Sequence, residues 1–350
     1  MSKRILVCGG AGFIGSQYIR ALLKKKYKIF NLDLLTYAAS LKNLLDFKKE
    51  KNYEFFKGDI GDKKKIKFIL EKFKPDFIIN FAAETHVDRS IDNPNIFIKT
   101  NILGVYNLLV NSLEYWNKIK KKKKRFKFIQ ISTDEVYGSV EKGSSIESSN
   151  IIPNSPYAAS KSSADHLVFS FYKTYNFPAI IVRSSNNYGP YQFPEKLIPL
   201  IILNALENKN LPIYGNGKHM RNWIHVEDNV EALKKILIKG KIGNIYNVGG
   251  DEEINNIVLV KKICKILDKI KPRENKEKYE SLIRFVIDRP GHDKRYSLNS
   301  NKIKKKFKWK PKIDIDTGLK LTINWYLNNK NWWEPIRKYK YKGERLGKNK

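Results

Sequence analysis

Two short stretches carry the side chains that could do chemistry. Residues 131 to 138 read Ile-Ser-Thr-Asp-Glu-Val-Tyr-Gly, which sets Thr133, Asp134 and Glu135 directly after an apolar run of Phe126, Phe128, Ile129 and Ile131. Such a run reads as a buried strand, so both carboxylates emerge at a strand's C-terminal end, where open α/β sheets bind ligands. Some 20 residues later, Tyr157-Ala-Ala-Ser-Lys161 puts a phenol and an ammonium on one face of a helix, one turn apart. A Tyr/Lys pair beside an acid pair suits stepwise proton and hydride chemistry, which requires a redox cofactor.

The N-terminus has the pattern that would hold one. A short strand at Ile5 to Val7 runs into Gly9, Gly12 and Gly15 at G-x-x-G-x-x-G spacing, and a helical pattern follows through Tyr18, Ile19, Leu22 and Leu23. Glycines there permit a tight turn, close approach of backbone N–H groups to a pyrophosphate, and close helix–strand contact. The helix N-terminus then turns its partial positive charge on the phosphates. A second strand, Lys28 to Leu32, ends in Asp33, eighteen residues after Gly15. That interval suits a carboxylate that accepts from a ribose 2′-hydroxyl and repels a 2′-phosphate, so NAD is expected rather than NADP.

Strands and helices keep alternating, which predicts successive βαβ units and a parallel sheet. Phe55 and Phe56 precede Asp59, placed to cap the next helix or bond an adenine, and residues 76 to 83 form a buried strand with small residues at its end. His86 and Asp88 follow; with no third metal-ligating residue beside them, a hydrogen-bonded loop histidine and no metal are expected. A helix spans 101 to 113, and the Lys-rich run 118 to 125 extends a helix end or loop. The turn-rich stretch 184 to 191 breaks the alternation. The fold class is therefore α/β: a Rossmann-type doubly wound parallel sheet with a smaller mixed α/β substrate-binding domain. Residues 1–187 form the cofactor domain, with 224–250 returning to it; 188–331 form the second domain and 332–350 a tail. Within 188–331, helices are expected at 197–206, from 226 and at 259–267, with strands at 211–214, 245–250 and 285–287.

The chain has 350 residues, 41% of them hydrophobic, and no apolar run approaches the length needed to cross a bilayer, so a soluble globular protein is expected. The apolar start breaks into glycines too soon for a signal peptide. Cys8 and Cys264 offer neither metal spacing nor a disulfide framework, which fits a reducing cytoplasm. The net charge of +33 would favour a nucleic-acid or membrane-surface partner if clustered. It is mostly lysine scattered through Lys24 to Lys26, Lys48, Lys49, Lys63 to Lys65 and Lys304 to Lys306, which reads as solvated surface.

The glycine spacing, Tyr157/Lys161 and Thr133-Asp134-Glu135 together resemble the extended short-chain dehydrogenase/reductase superfamily and, within it, the dTDP-glucose 4,6-dehydratase family. The likeness runs through residues 33–38, 82–90, 185–199, 288–293 and 343–347. The Asp-Glu pair discriminates: nucleotide-sugar 4-epimerases typically carry Ser or small residues there, and GDP-mannose dehydratases Ser-Glu. The resemblance implies that Tyr157 removes the 4-hydroxyl proton as hydride passes from C4 to NAD. Glu135 then takes the C5 proton, Asp134 protonates the departing C6 hydroxyl, and hydride returns to C6. A phenol with pKa near 10 must fall by roughly three units to ionise at neutrality, about 4 kcal/mol, with Lys161 and the positive nicotinamide as causes. Asp134 and Glu135 must start in opposite protonation states, and Thr133 bonds O4.

By the same resemblance, Gly9, Gly12, Phe13, Ile14, Gly15, Asp33, Leu34, Thr36, Asp59, Ile60, Phe81, Ala82, Ala83, Thr100, Tyr157, Lys161 and Asn187 bind NAD. Thr85, Thr133, Asn186, Glu195, Lys196, Leu197, Tyr214, Arg221, Asn256, Arg289 and His292 bind dTDP-glucose. A homodimer through helices of the cofactor domain is implied, as is a role in deoxysugar (dTDP-rhamnose type) biosynthesis. Asn222 stands where the family usually has Asp, and Cys8 replaces a common Thr. A 4-epimerase or a dehydratase of another nucleotide sugar would fit much of this pattern, although an epimerase would not need Asp134 and Glu135. A catalytically idle polybasic binding protein is the alternative from a different class.

Overall fold

A computed structural model describes residues 2–25, 27–121 and 125–347. Lys26 and residues 122–124 of the basic runs, and residues 348–350 of the tail, lie outside the described residues. The strands are β1 (Arg4–Cys8), β2 (Lys28–Asp33), β3 (Tyr53–Lys57), β4 (Phe77–Asn80), β5 (Lys127–Thr133), β6 (Ala179–Ser184), β7 (Asn186–Tyr188), β8 (Leu211–Tyr214), β9 (Met220–His225), β10 (Ile245–Val248), β11 (Glu253–Asn255) and β12 (Ile283–Val286). Seven of them form one sheet in the order β10-β6-β5-β4-β1-β2-β3, and every pairing in it is parallel. The order reverses between β1 and β4, which opens a crevice at the strands' C-terminal ends.

A parallel sheet must be covered on both faces. Along β1, Ile5 and Val7 pack with Tyr18, Ile19 and Leu22 of helix Phe13–Leu23 and with Val230 and Leu233 of helix Val226–Lys239. Leu6 and Cys8 pack on the other face with Ile66 and Leu70 of helix Lys63–Phe73 and Leu108 of helix Val105–Ile119. A separate core gathers Leu203, Leu211, Ile213, Ile263, Leu319, Tyr326, Trp332 and Trp333 around a three-stranded sheet, β11-β9-β7, and the β8–β12 pair. Ile303, Phe307 and Trp309 return to the first core.

The sequence reading differs from the structure at several elements. The strand expected over 76–83 stops at Asn80, and the one over 285–287 stops at Val286. The helix expected over 101–113 runs from Pro94 to Ile119, 26 residues with a mean hydropathy of 1.2 in its most apolar stretch. It carries a π segment at Ile98–Gly104 and packs against helix Pro156–Tyr175. Asp62, not Asp59, caps the following helix, its carboxylate accepting from Lys65 N at 3.1 Å; Asp59 accepts instead from Gly61 N at 2.8 Å. Helix Leu197–Leu206 and strand Leu211–Tyr214 match the expected spans.

Candidate active site

The glycine turn is built for close approach. Gly9 has φ +78°, and a Cβ there would lie 2.5 Å from Ala82 N; one at Gly15 would lie 2.3 Å from Gly9 O. At Gly12 the nearest protein atom would be 3.5 Å away, so this position faces open space in the crevice. No side chain caps the helix that begins at Phe13, which leaves its N-terminal charge to a ligand. Gly10 matters as well, because a Cβ there would meet Asn31 Oδ1 at 2.3 Å. Asp33 lies buried at the end of β2, accepting from Ala11 N and Leu35 N, each at 2.8 Å. Burial raises its pKa, and these two bonds oppose the rise.

A cleft of about 280 Å³ runs from this turn across the sheet end. It is lined by Gly9, Gly12, Phe13, Ile14, Gly15, Asp33, Leu34, Thr36, Asp59, Ile60, Phe81, Ala82, Ala83, Thr100, Tyr157, Lys161 and Asn187, with Thr85, Thr133, Asp134 and Glu135 at the far end. A second cavity of about 360 Å³ is lined by Asn186, Glu195, Lys196, Leu197, Tyr214, Arg221, Asn256, Arg289 and His292. Glu135, Asn186 and Lys196 line both, so the two cavities meet at Glu135, with Asp134 on the side of the first. The first cleft fits a dinucleotide: it has the glycine cradle, the uncapped helix end, the Asp33 carboxylate, and the buried Asn187 Oδ1 and Ser132 Oγ without partners among the described residues.

The acids sit on a short 3-10 turn, Asp134–Tyr137, that continues β5 directly. Thr133 opens it, accepting from Glu135 N and donating to Asp134 Oδ1, each at 3.3 Å. Asp134 Oδ2 is buried without a partner among the described residues. Burial first, and the Glu135 charge second, push Asp134 up to about 8. Glu135 is also raised by burial, but the Arg289, Lys196 and Arg221 charges oppose that shift. Burial thus raises both carboxyls, Asp134 to about 8, while the Arg289, Lys196 and Arg221 charges oppose the rise at Glu135.

Helix Pro156–Tyr175 starts on a Ser155 cap with Pro156 in its first turn, and it delivers Tyr157 and Lys161 beneath β5. Lys161 Nζ donates to Ile131 O at 2.7 Å, and burial depresses its pKa to about 8, opposed by Asp165 one turn on. The expected fall of the Tyr157 phenol is absent from the protein alone: burial, then the Glu135 charge, push it up, and only the Thr133 hydrogen bond ranks among the opposing causes.

In the second cavity several polar groups are already held. Glu195 accepts from Arg89 Nε at 2.7 Å and Tyr37 OH at 2.8 Å, so its carboxylate braces the wall. Lys196 Nζ donates to Thr85 O at 2.7 Å. Asp88 accepts from Tyr214 OH at 2.7 Å and Arg289 Nη1 at 3.0 Å. His86 approaches Glu195 O at 3.2 Å and is kept neutral by burial, a loop histidine with no link to Asp88. His219, Asp288 and His292 bring donor atoms within 4.8 Å of one another. Asp288 already takes His292 Nδ1 at 2.6 Å, Arg221 Nη2 lies 2.8 Å from His292 Nε2, and the Arg221 and Arg289 charges disfavour a cation there.

Sequence reasoning missed three contributors. Tyr296 OH donates to Asp293 Oδ2 at 2.6 Å and lies 3.4 Å from Glu135 Oε2, under the Arg221 guanidinium at 4.3 Å. Asn101, in the π segment, accepts from Glu84 N and donates to Glu84 O and Ser160 Oγ, locking the β4 exit to the Tyr157 helix. π segments recur at functional sites, but no spacing rule exposes this one. Residues 341 and 343–346 also line the second cavity. Of the two departures, Asn222 donates to Gly250 O at 2.9 Å and Glu252 O at 3.2 Å, bonds that a carboxylate could not make, and Cys8 is buried in β1.

A family model described as GDP-mannose 4,6 dehydratase matches residues 6–322. A dTDP-glucose 4,6-dehydratase of Escherichia coli is 47% identical over 359 residues, covering 98% of this chain and 99% of that one. Among solved structures, the dTDP-glucose 4,6-dehydratase of Bacillus anthracis in complex with NAD is 42% identical with a TM-score of 0.83, covering 96% of this chain and 100% of that chain. That of Streptomyces venezuelae, solved with NAD bound, is 40% identical with a TM-score of 0.87, covering 95% and 99%.

Proposed function

The chain belongs to the dTDP-glucose 4,6-dehydratase family, and we infer that it is an NAD-dependent hydro-lyase that converts dTDP-glucose to dTDP-4-keto-6-deoxyglucose. When bound, NAD supplies the two-electron oxidation at C4 and the matching reduction at C6. The glycine turn and the helix beginning at Phe13 would hold its pyrophosphate, Asp33 would accept from its adenosine ribose, and Lys161 would hold the second ribose.

The remaining steps fall to this chain's own acids and bases. Tyr157 takes the O4 proton, and Thr133 steadies O4 beside it. The resulting 4-ketone acidifies C5, whose proton goes to Glu135. Asp134 gives its proton to the C6 hydroxyl, which leaves as water. Arg221, Arg289 and Lys196 hold the diphosphate, for which charge-assisted donors are suited. The observation that carries this reading is the position and state of the acid pair: Glu135 lines both cavities, and Asp134 next to it is neutral near pH 7. A pair so divided can work as base and acid at neighbouring carbons.

The test is incubation of the protein with dTDP-glucose in deuterated water. The expected product is lighter by one water and carries deuterium at C5; unchanged substrate overturns the reading.

Further assignments rest on the same premise. Residues 1–187 with 224–250 make the NAD-binding part, supported by β10 in the main sheet, and 188–331 the sugar-nucleotide part apart from Ile303, Phe307 and Trp309, which pack in the first core; 332–350 is a tail tied to the second core by Trp332 and Trp333. The protein is a homodimer through helices Pro94–Ile119 and Pro156–Tyr175, a reading supported by exposed Ile98, Leu103, Tyr106 and Phe169. It works in the cytoplasm, consistent with two buried unpaired cysteines, and supplies deoxysugar synthesis of the dTDP-rhamnose type.

A further inference from the structure

The turn that carries the two acids is held at both ends by one helix. Before the acids, Lys161 of helix Pro156–Tyr175 donates to Ile131 O at 2.7 Å. After them, Tyr137 closes the turn, and its hydroxyl accepts from Arg183 Nη1 and donates to Asn247 Oδ1, each at 2.9 Å. The Arg183 guanidinium lies 4.8 Å over the Tyr137 ring, and its Nε donates at 2.9 Å to Asp165 Oδ2, one helical turn beyond Lys161. In the sheet Arg183 belongs to β6, in register with Ser132 of β5 on one side and Asn247 of β10 on the other. Asn247 in turn ties down the loop that follows the acid turn, donating from N to Glu147 Oε1 and from Nδ2 to Ser145 O.

Tyr137, Asp165, Arg183 and Asn247 are all buried, and none of them lines either cavity, which leaves them to act through the residues they hold. A buried ion pair adds little net stability, since desolvation offsets its attraction. A guanidinium fork, by contrast, fixes the direction of each group bonded to it. The acid turn needs such support, because it is only 4 residues long and 3-10 hydrogen bonds are poorly aligned. Asp134 and Glu135 must reach C6 and C5 of the sugar whose O4 meets Tyr157. Tyr157 lies on the helix whose Lys161 and Asp165 pin the two ends of the turn.

Resting on the dehydratase reading, we propose that Arg183 and Tyr137 are positioning residues for the elimination step: the Asp165–Arg183–Tyr137 chain sets the acid turn against the helix that carries Tyr157, so that acid and base meet the same sugar that Tyr157 oxidises. In that step the C5 proton passes to Glu135 and its electron pair forms the C5–C6 double bond. The C6–O bond breaks, and the hydroxyl leaves as water with the Asp134 proton. Lys161 is held by Ile131 O and Thr133 by the β5–β6 pairing, so oxidation at C4 does not depend on Tyr137. Tyr137→Phe removes the hydroxyl and keeps the ring. Its kcat for dTDP-glucose is expected to fall on the order of tenfold with KM within about twofold, the scale of loss that a slight misplacement of reacting groups causes. C4 oxidation keeps its rate, so reduced cofactor accumulates in the first turnover beyond the wild-type level. Arg183→Lys keeps a cation beside Asp165 but has no fork to reach Tyr137 as well, and it is expected to show the same accumulation. Both variants should stay folded with NAD bound.

Wild-type turnover of dTDP-glucose is measured first, and its absence sinks the dehydratase reading itself. With the wild type active, a Tyr137→Phe enzyme of unchanged kcat, or one whose C4 oxidation slows as much as its water loss, overturns this proposal alone. A rise in KM at unchanged kcat overturns it too, by placing the defect in binding. Should both variants lose Tm and every step together, or fail to fold, the chain is structural and the proposal falls. Slower dehydration with reduced cofactor building up, in both variants and at wild-type NAD content, is the result that supports it.

Discussion

Lys161 Nζ donates to the backbone oxygen of Ile131 at 2.7 Å, which anchors the amine to the strand that delivers Asp134 and Glu135. The Tyr/Lys helix and the acid turn are therefore mechanically one unit. They also titrate together: Lys161 is pushed down, and Asp134 up, to about 8. The ammonium and the protonated carboxyl both exist below that pH and are both lost above it. Log kcat/KM for dTDP-glucose is expected to fall on the alkaline side with a slope approaching two, since two needed protons leave in one interval. A limb with slope one would mean that only one of the groups titrates there.

Asp134→Asn separates chemistry from stability. Without the acid, water loss is expected to slow by roughly 100- to 10,000-fold. C4 oxidation survives, so absorbance of reduced cofactor accumulates on mixing with substrate. Normal dehydration by the variant would remove Asp134 as the acid. Stability moves the other way. Because its folded pKa is raised, the native state keeps a proton that the unfolded chain has released between about pH 4 and 8, and wild-type stability falls as pH rises across that window. The amide does not titrate, so the variant is expected to gain over wild type from pH 5 to pH 7.5, by an amount on the order of 3 kcal/mol. Denaturant melts at the two pH values measure it, and a constant difference would contradict the buried neutral acid.

Much of this was readable from the sequence because local signals and tertiary demands agreed. The glycine spacing and Asp33 announce a crevice whose walls are backbone, and continuous apolar runs announce a parallel sheet buried on both faces. Other features depend on partners far along the chain. β9 reads Met-Arg-Asn-Trp-Ile-His, too polar to pass for a buried strand; Arg221 is satisfied by Asp293 O at 3.0 Å and Asn222 by Gly250 O. Glu195, which the resemblance assigns to the substrate, lines both cavities and also takes Arg89 and Tyr37 on its two oxygens, contacts that come from far along the chain. The rise of the Tyr157 phenol follows from burial beside two acids, which motif spacing does not express.

Glu195→Gln tests that bracing role. The carboxylate is buried and its Arg89 partner lies 2.7 Å away, stacked 4.1 Å over the Tyr37 ring. Removing one charge of such a pair leaves the other unpaired, which typically costs about 3–5 kcal/mol when both are buried. Arg89 keeps some exposure, so a loss of roughly 2–3 kcal/mol is expected here. It should appear as a lower denaturation midpoint. A KM change at unaltered stability would return Glu195 to the substrate.

Gly12→Ala asks whether the cradle is there for a ligand or for the fold. At Gly9 and Gly15 an added Cβ strikes backbone within 2.5 Å, so substitution there disturbs folding whatever is bound. At Gly12 the nearest protein atom is 3.5 Å away and φ is −78°, which any residue adopts. Alanine also has about 1 kcal/mol less conformational entropy to lose than glycine. The apoprotein is therefore expected to be as stable as wild type or slightly more so. The methyl would nevertheless occupy the space through which backbone N–H groups approach a pyrophosphate. NAD content of the purified variant is expected to drop at least tenfold, with its circular dichroism spectrum and melting midpoint retained. Full NAD occupancy in that variant would mean that the pyrophosphate does not pass over Gly12, and the cradle would then have to lie elsewhere along the cleft.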